Sequence, residues 1–230
     1  MFAILVPIAS ESESITLVGG APVLRETLFM ALDLAPISVA ADGGAASLLA
    51  HGRNPIAVIG DMDSISKDLV GLIAKDRFHL VREQNTTDFE KCLQRISAPM
   101  VVGVGFLGAR LDHQMAVQTS LVRYANLKCL LLGELDAVFL VPPEFSINLP
   151  KNTRVSLFPM GRVRLKSRGL RWSTDGLEFA PDDRIGTSNI STGPVHLKPS
   201  GPKMLAILPL SHAKLIFESL RLAKQWIATE

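Results

Sequence analysis

Short apolar runs recur along the first part of the chain, and each is closed by glycine or an acidic residue. Ile15–Val18 ends at Gly19-Gly20, and residues 23–34 then repeat their apolar positions at helical spacing. Ile37–Ala41 leads into Asp42-Gly43-Gly44 and a helix expected over 44–51. The run that starts at Ile56 ends in Gly60-Asp61-Met62-Asp63-Ser64, with a helix expected over 67–75. Thr86 or Thr87 is placed to cap a helix running to about Arg95. A strand over 100–104 precedes a helix over 112–124, and 128–132 and 137–141 read as further strands. Strand and helix in alternation predict an α/β fold with a mostly parallel, doubly wound sheet.

The rhythm changes at Pro142-Pro143. Beyond it, strand-like runs at 145–149, 154–158, 163–166, 177–179, 195–198 and 204–208 are separated by turn residues such as Asp175-Gly176 and Ser200-Gly201-Pro202. That spacing predicts an all-β sandwich or barrel. A terminal amphipathic helix is expected over 211–228, with Leu215, Ile216, Leu220, Leu222, Ala223 and Trp226 as its apolar stripe. The expected division is an α/β nucleotide-binding domain over 1–142 and a β domain with the terminal helix over 143–230.

Composition narrows the functional classes. Hydrophobic residues make up 47% of 230, enough for a sizeable core. Lys and Arg number 24 against 22 acidic residues, so charge gives no reason to expect nucleic acid or a membrane as partner. The two cysteines, Cys92 and Cys129, sit in apolar settings and read as reduced, buried thiols. The apolar N-terminus lacks a basic flank and is interrupted by Pro7, so it reads as an opening segment and not a signal peptide. A cytoplasmic location is expected.

The candidate chemistry lies in the turns. Asp61 and Asp63, two apart at the end of a strand, present two hard oxygen ligands together if the chain stays extended. Open α/β sheets bind ligands at that edge, and Mg²⁺ takes one or two carboxylates plus phosphate oxygens and water. Two bare carboxylates repel unless a cation lies between them. Taken alone, Asp42-Gly43-Gly44 reads as a strand-to-helix turn with a carboxylate cap, and Thr86-Thr87-Asp88 as an ordinary N-terminal cap. Arg110 matches phosphate geometry in a bidentate way, and Lys91 is a second cation for the same task. There is no P-loop; Gly103, Gly105 and Gly108 match G-x-G-x-x-G spacing only in isolation. In the second half, Gly186-Thr187-Ser188-Asn189 and Trp172 offer small polar groups and a flat aromatic face for a heteroaromatic ring.

In this order the motifs resemble the thiamine pyrophosphokinase family. The resemblance rests on Asp42-Gly43-Gly44, Gly60-Asp61-Met62-Asp63-Ser64, Thr86-Thr87-Asp88-Phe89-Glu90-Lys91 and Gly108-Ala109-Arg110-Leu111-Asp112-His113, and continues through Ser156-Leu157-Phe158-Pro159, Gly169-Leu170-Arg171-Trp172 and Gly186-Thr187-Ser188-Asn189. It departs at Met62, where Phe is usual, at Ala109 for a frequent Gly, and at Asn85 for a common acidic residue. The resemblance implies diphosphoryl transfer from ATP to the hydroxyl of thiamine, giving thiamine diphosphate and AMP with Mg²⁺, in a homodimer with thiamine between subunits. It implies Asp42, Asp61, Asp63 and Asp88 as the catalytic acidic set, with Asp61, Asp63 and Asp88 on the metal. Gly43, Gly44, Thr87, Lys91, Arg110 and Asp112 would hold the nucleotide and its phosphates, and Trp172, Ser188 and Asn189 the thiamine. The competing readings are a pyrophosphokinase acting on a pterin alcohol, a metal-dependent phosphohydrolase, and a binding module without turnover.

Overall fold

A computed structural model describes residues 7–64 and 71–227. Among these, no helix is long and apolar enough to cross a membrane. The chain divides into two compact units, one of residues 1–120 with 131–134, the other of 121–130 with 135–230.

The first unit contains β1 (Ala9–Ser10), β2 (Ile15–Val18), α1 (Arg25–Leu34), β3 (Ile37–Ala41), α2 (Gly44–Ala50), β4 (Ala57–Gly60), β5 (Phe78–Leu80), α3 (Asp88–Leu93), β6 (Ile96–Ser97) and β7 (Val101–Val104). Helix α4 (Leu111–Arg123) and strand β8 (Cys129–Leu132) each begin in one unit and end in the other. β7, β2, β3, β4 and β5 lie side by side, all parallel. β2 and β4 are buried at every position and β3 at all but Ile37, as strands covered on both faces must be, and this explains their near-continuous apolar runs. The chain moves outward from β2 through β3 and β4 to β5, then returns to place β7 on the other side of β2. That reversal is a topological switch point, where carboxyl ends of neighbouring strands open a crevice. Gly44 permits the tight α2 contact beneath it: a Cβ there would lie 2.0 Å from the Val18 carbonyl oxygen. Of the helix expected over 67–75, positions 67–70 lie outside the described residues; 71–74 form turn and bend with no helix, and Lys75–Arg77 form a single 3₁₀ turn.

The second unit is antiparallel. It comprises β9 (Asp136–Leu140), β10 (Phe145–Ile147), β11 (Arg154–Pro159), β12 (Val163–Leu170), β13 (Glu178–Phe179), β14 (Gly186–Pro199), β15 (Met204–Pro209) and α5 (Ala213–Leu222). The strands run in the order β13, β12, β14, β11, β15, β9, with β10 also paired to β14. The first half of β14 pairs with β11, and its second half with β12 and β10. A bulge in β12 at Gly169, φ +77°, lets the strands close; a Cβ there would sit 1.8 Å from the Pro194 carbonyl oxygen.

Two expectations change here. The units do not part at residue 142, because β9 pairs antiparallel with β15 and packs with the strands that follow it. The terminal helix is shorter than 211–228. A 3₁₀ turn occupies Leu210–His212, and the helix ends where Ala223 turns to extended backbone. Its buried face is Ala213, Ile216, Phe217 and Leu220, while Leu222 is 89% exposed. Trp226 lies beyond the helix and donates its indole N–H to the Val141 carbonyl, 3.0 Å away.

Candidate active site

The loops after β2, β3, β4 and β7 and the start of α3 surround a cleft of about 590 Å³ in the first unit. Asp42 follows β3 in a left-handed conformation, φ 42°, with its backbone N–H on the Ile59 carbonyl. This turns a carboxylate that is 2% exposed toward the end of β4. Gly60 makes room for it, since a Cβ at 60 would meet the Asp42 Cβ at 2.8 Å. Asp42 Oδ2 accepts from the Ser64 N–H at 3.3 Å, while Oδ1 is buried without a hydrogen-bond partner. Burial pushes this carboxyl above its ordinary range, and the Ser64 hydrogen bond only partly opposes the shift.

β4 stops at Gly60, and Met62 takes φ 65°. Asp61 and Asp63 therefore meet through a turn and not through the strand alternation expected from their spacing. One carboxylate oxygen from each of Asp42, Asp61 and Asp63 lies within 4.8 Å of the other two. Asp63 is exposed and accepts from the Ser64 hydroxyl at 2.8 Å. Asp61 Oδ2 accepts from Lys91 Nζ and Gln84 Nε2, both at 3.2 Å. Partial burial acts to raise the Asp61 carboxyl, but these two hydrogen bonds outweigh it and hold it below the usual range.

Asp88 does not join the three-carboxylate cluster. It opens α3, and its Oδ1 takes Lys91 Nζ at 3.0 Å. The Lys91 side chain is only 3% exposed and bridges Asp61 and Asp88. Burial works to lower its pKa, yet the hydrogen bonds to the two carboxylates prevail and raise it. Lys91 is thus committed to carboxylates, where a phosphate contact was expected. Thr87 caps α3 in a reciprocal box with Glu90: each side chain accepts from the other's backbone N–H at 3.3 Å.

Arg110 lines the cleft and forms a two-point ion pair with Asp112, Nη2 to Oδ2 at 2.6 Å and Nε to Oδ1 at 3.2 Å. Asp112 accordingly orients Arg110, and the guanidinium beside it holds the Asp112 carboxyl below the usual range. Gly43 lines the cleft, while Gly44 is buried beneath it.

Trp172, Ser188 and Asn189 belong to the second unit. Trp172 is 55% exposed, with the Arg171 guanidinium 5.6 Å from its ring centroid. Asn189 is buried; its Oδ1 accepts from the Trp172 N–H and its Nδ2 donates to the Trp172 carbonyl. Its amide is spent on holding the indole's backbone. Ser188 sits at φ 64° with its N–H on Ser156 Oγ.

Sequence reasoning gave no role to Glu83, Gln84 or Ser64. The Glu83 carboxylate accepts from the N–H groups of Asn85 and Thr86 and from the Thr86 hydroxyl, fixing the loop that carries Gln84. The available signal was an acid three residues before a threonine, a turn-forming spacing.

The donor set suits Mg²⁺. It is all oxygen, which favours hard cations over zinc. It also holds a buried carboxylate oxygen that nothing in the protein satisfies, a costly state unless a cation is the partner.

The first unit is thus a parallel α/β sheet with three carboxylates gathered at its switch-point crevice. Residues 30–131 match the family model described as thiamin pyrophosphokinase, catalytic domain. Thiamine pyrophosphokinase 1 of Oryza sativa subsp. japonica is 31% identical over 158 residues. That alignment covers 59% of this chain and 59% of the rice protein, a little under two thirds of its length. In fold, the chain is similar to yeast thiamin pyrophosphokinase, with TM-score 0.73, 18% identity, and coverage of 93% of this chain and 90% of that one. Thiamine pyrophosphokinase from Bacillus subtilis gives TM-score 0.71 at 20% identity, covering 86% and 99%.

Proposed function

We propose that this chain is a thiamine pyrophosphokinase, moving the diphosphoryl group of ATP to the hydroxyethyl oxygen of thiamine and releasing AMP. The observation that carries the reading is the Asp42, Asp61 and Asp63 cluster, with its unpartnered Asp42 oxygen, inside the segment that matches the catalytic-domain family.

Diphosphoryl transfer needs an aligned alcohol and a neutralised polyphosphate, so positioning and electrostatics carry most of the rate. Asp42, Asp61 and Asp63 would hold Mg²⁺, which when bound supplies positive charge to the phosphate oxygens. Lys91 keeps Asp61 aimed inward and anchors Asp88. Asp88, 41% exposed at the cleft, has a free oxygen with which to accept the proton of the attacking hydroxyl. Arg110 offers its fork to the polyphosphate, steadied by Asp112, and Thr87 and Gly43 shape the wall beside it. On the second unit Trp172 presents a face for the thiamine ring, with Ser188 beside it and Asn189 fixing the indole's backbone. A homodimer completes the ring site in this reading. Two free, buried cysteines agree with a reducing, cytoplasmic setting.

The test is ATP labelled separately at the β- and γ-phosphorus, incubated with thiamine and Mg²⁺. Both labels are expected in thiamine diphosphate, with AMP as co-product. Transfer of the γ label alone, or release of inorganic phosphate as the sole product, overturns the proposal.

A further inference from the structure

The outer face of β12, β14 and β10 is basic by register. Lys166 stands directly opposite Lys198, and Arg168 opposite His196. On the other side of β14, Ser146 stands opposite His196. Alternation sends Leu165, Ser167, Leu197 and Phe145 inward and leaves the basic side chains outward. They line a groove of about 650 Å³ that shares no residue with the carboxylate cleft.

Like charges directly opposed across a strand pair destabilise it unless a counter-charge intervenes. Within the groove only Lys198 has such a partner, the Glu144 carboxylate. The other carboxylate, Asp175, accepts from the Ser167 N–H at 3.0 Å. Lys166 and Arg168 form no ion pair with any described residue. His196 Nδ1 is engaged by Ser146 Oγ at 2.8 Å, which leaves the second ring nitrogen for another partner.

We infer that this groove is an anion site for the diphosphate group of a small phosphorylated ligand. Arg168 and Lys166 are two positions apart on one strand face, roughly 7 Å along the backbone. A single carboxylate reaches one of them, whereas two linked phosphoryl groups engage both. The Arg168 fork takes one phosphoryl group, in the two-point geometry that guanidinium favours. The ammonium groups of Lys166 and Lys198 take the other. The site extends the proposed function without depending on it.

The test is calorimetric titration with inorganic pyrophosphate at low salt, after a chelating resin has removed divalent cations. In that state the carboxylate cleft repels the probe, so binding reports the basic groove. One site per chain is expected, weakening as salt rises. The double variant Lys166→Gln, Arg168→Gln should lose tenfold or more in affinity, with an unfolding midpoint no lower than that of the wild type, since opposed like charges are removed, and with unchanged initial rates of diphosphoryl transfer. Asp61→Asn should lower transfer by about a thousandfold and leave the metal-free isotherm intact. Unchanged binding in the double variant, citrate binding as tightly as pyrophosphate, or an isotherm lost in Asp61→Asn would each overturn the inference. Binding that persists in a wild-type protein without transfer activity refutes the proposed function and leaves this site standing.

Discussion

The two units bury polar side chains on different terms. In the antiparallel unit the buried polar groups are Thr153, Ser156, Ser167, Thr174, Asn189 and Ser191, all neutral and each hydrogen-bonded. In the parallel unit Asp42, Glu90 and Lys91 are buried with their charges, and Asp42 Oδ1 is, among the described residues, the buried side-chain oxygen left without a partner. Neutral, satisfied groups fix a geometry and ask nothing of a ligand. Buried charges that are only partly satisfied leave a vacancy of defined sign at a defined place. The first pattern builds a scaffold, and the second builds a site.

Breaking the charged pattern should have the largest effect. Asp61→Asn and Asp63→Asn should each lower transfer by about a thousandfold, in line with loss of a main electrostatic stabiliser. Folding should hold in Asp63→Asn, which relieves carboxylate repulsion, whereas Asp61→Asn also gives up the ion pair with buried Lys91 and should lose some stability while remaining folded. Steady-state rates at saturating Mg²⁺, beside thermal unfolding, check both halves; near-wild-type rates refute the metal assignment. Lys91→Met comes next. It leaves two carboxylates facing a buried apolar chain and should destabilise by about 2 kcal/mol, less than the roughly 3–5 of a fully buried pair because Asp88 is half open to water. Urea denaturation measures this, and an unchanged midpoint would show that the bridge is incidental.

In the antiparallel unit, Asn189→Ala removes two hydrogen bonds to the Trp172 backbone and one from the Ile190 N–H and should cost about 1–2 kcal/mol. Trp172→Ala should leave stability nearly untouched while raising the KM for thiamine. If Asn189→Ala is silent and Trp172→Ala unfolds the protein, the scaffold assignment is reversed. Asp42→Asn removes an unsatisfied buried charge and should stabilise the metal-free protein by about 1 kcal/mol while abolishing stabilisation by added Mg²⁺. A loss of metal-free stability there would mean that the oxygen has a partner in solution.

The smallest effect concerns His79 on β5, whose pKa burial holds below the ordinary histidine value. A depressed folded pKa means that its contribution is present above the unfolded pKa and is lost as pH falls through the folded one. Stability should therefore decline by a few tenths of a kcal/mol from pH 7 toward pH 5, about the scale of an exposed ion pair. His79→Gln should flatten that part of the curve of unfolding midpoint against pH.

Much of this was legible in the sequence because parallel strands buried on both faces are unbroken apolar runs. β2, β3, β4 and β7 stand close to where those runs lie. The acidic turns were legible for the same reason, since they interrupt such runs. Geometry that depends on backbone φ was not. Met62 and Asp42 adopt left-handed conformations with no glycine to announce them, so the turn that gathers Asp42 with Asp61 and Asp63 did not show; all three were in the expected acidic set, but Asp88 and not Asp42 was placed beside Asp61 and Asp63 on the metal. Lys91 looked like a phosphate ligand because its two carboxylate partners are 30 and 3 residues away, and spacing reveals only the nearer. Gly186 to Asn189 fell outside the expected strand-like runs because small polar residues carry no apolar pattern, yet they form the start of a 14-residue strand. Pairing with β11 decided that, and such pairing has no local signature.

That long strand also sets a timetable. β10, β11 and β12 all leave the ribosome before β14, the strand to which each is hydrogen-bonded. Synthesis proceeds at about 5–20 residues per second, so these strands wait on the order of seconds with unpaired edges. Such edges are templates for pairing with other chains. The nascent β unit is therefore most exposed to misassembly just before residue 199 emerges, and a pause in translation there would prolong the hazard.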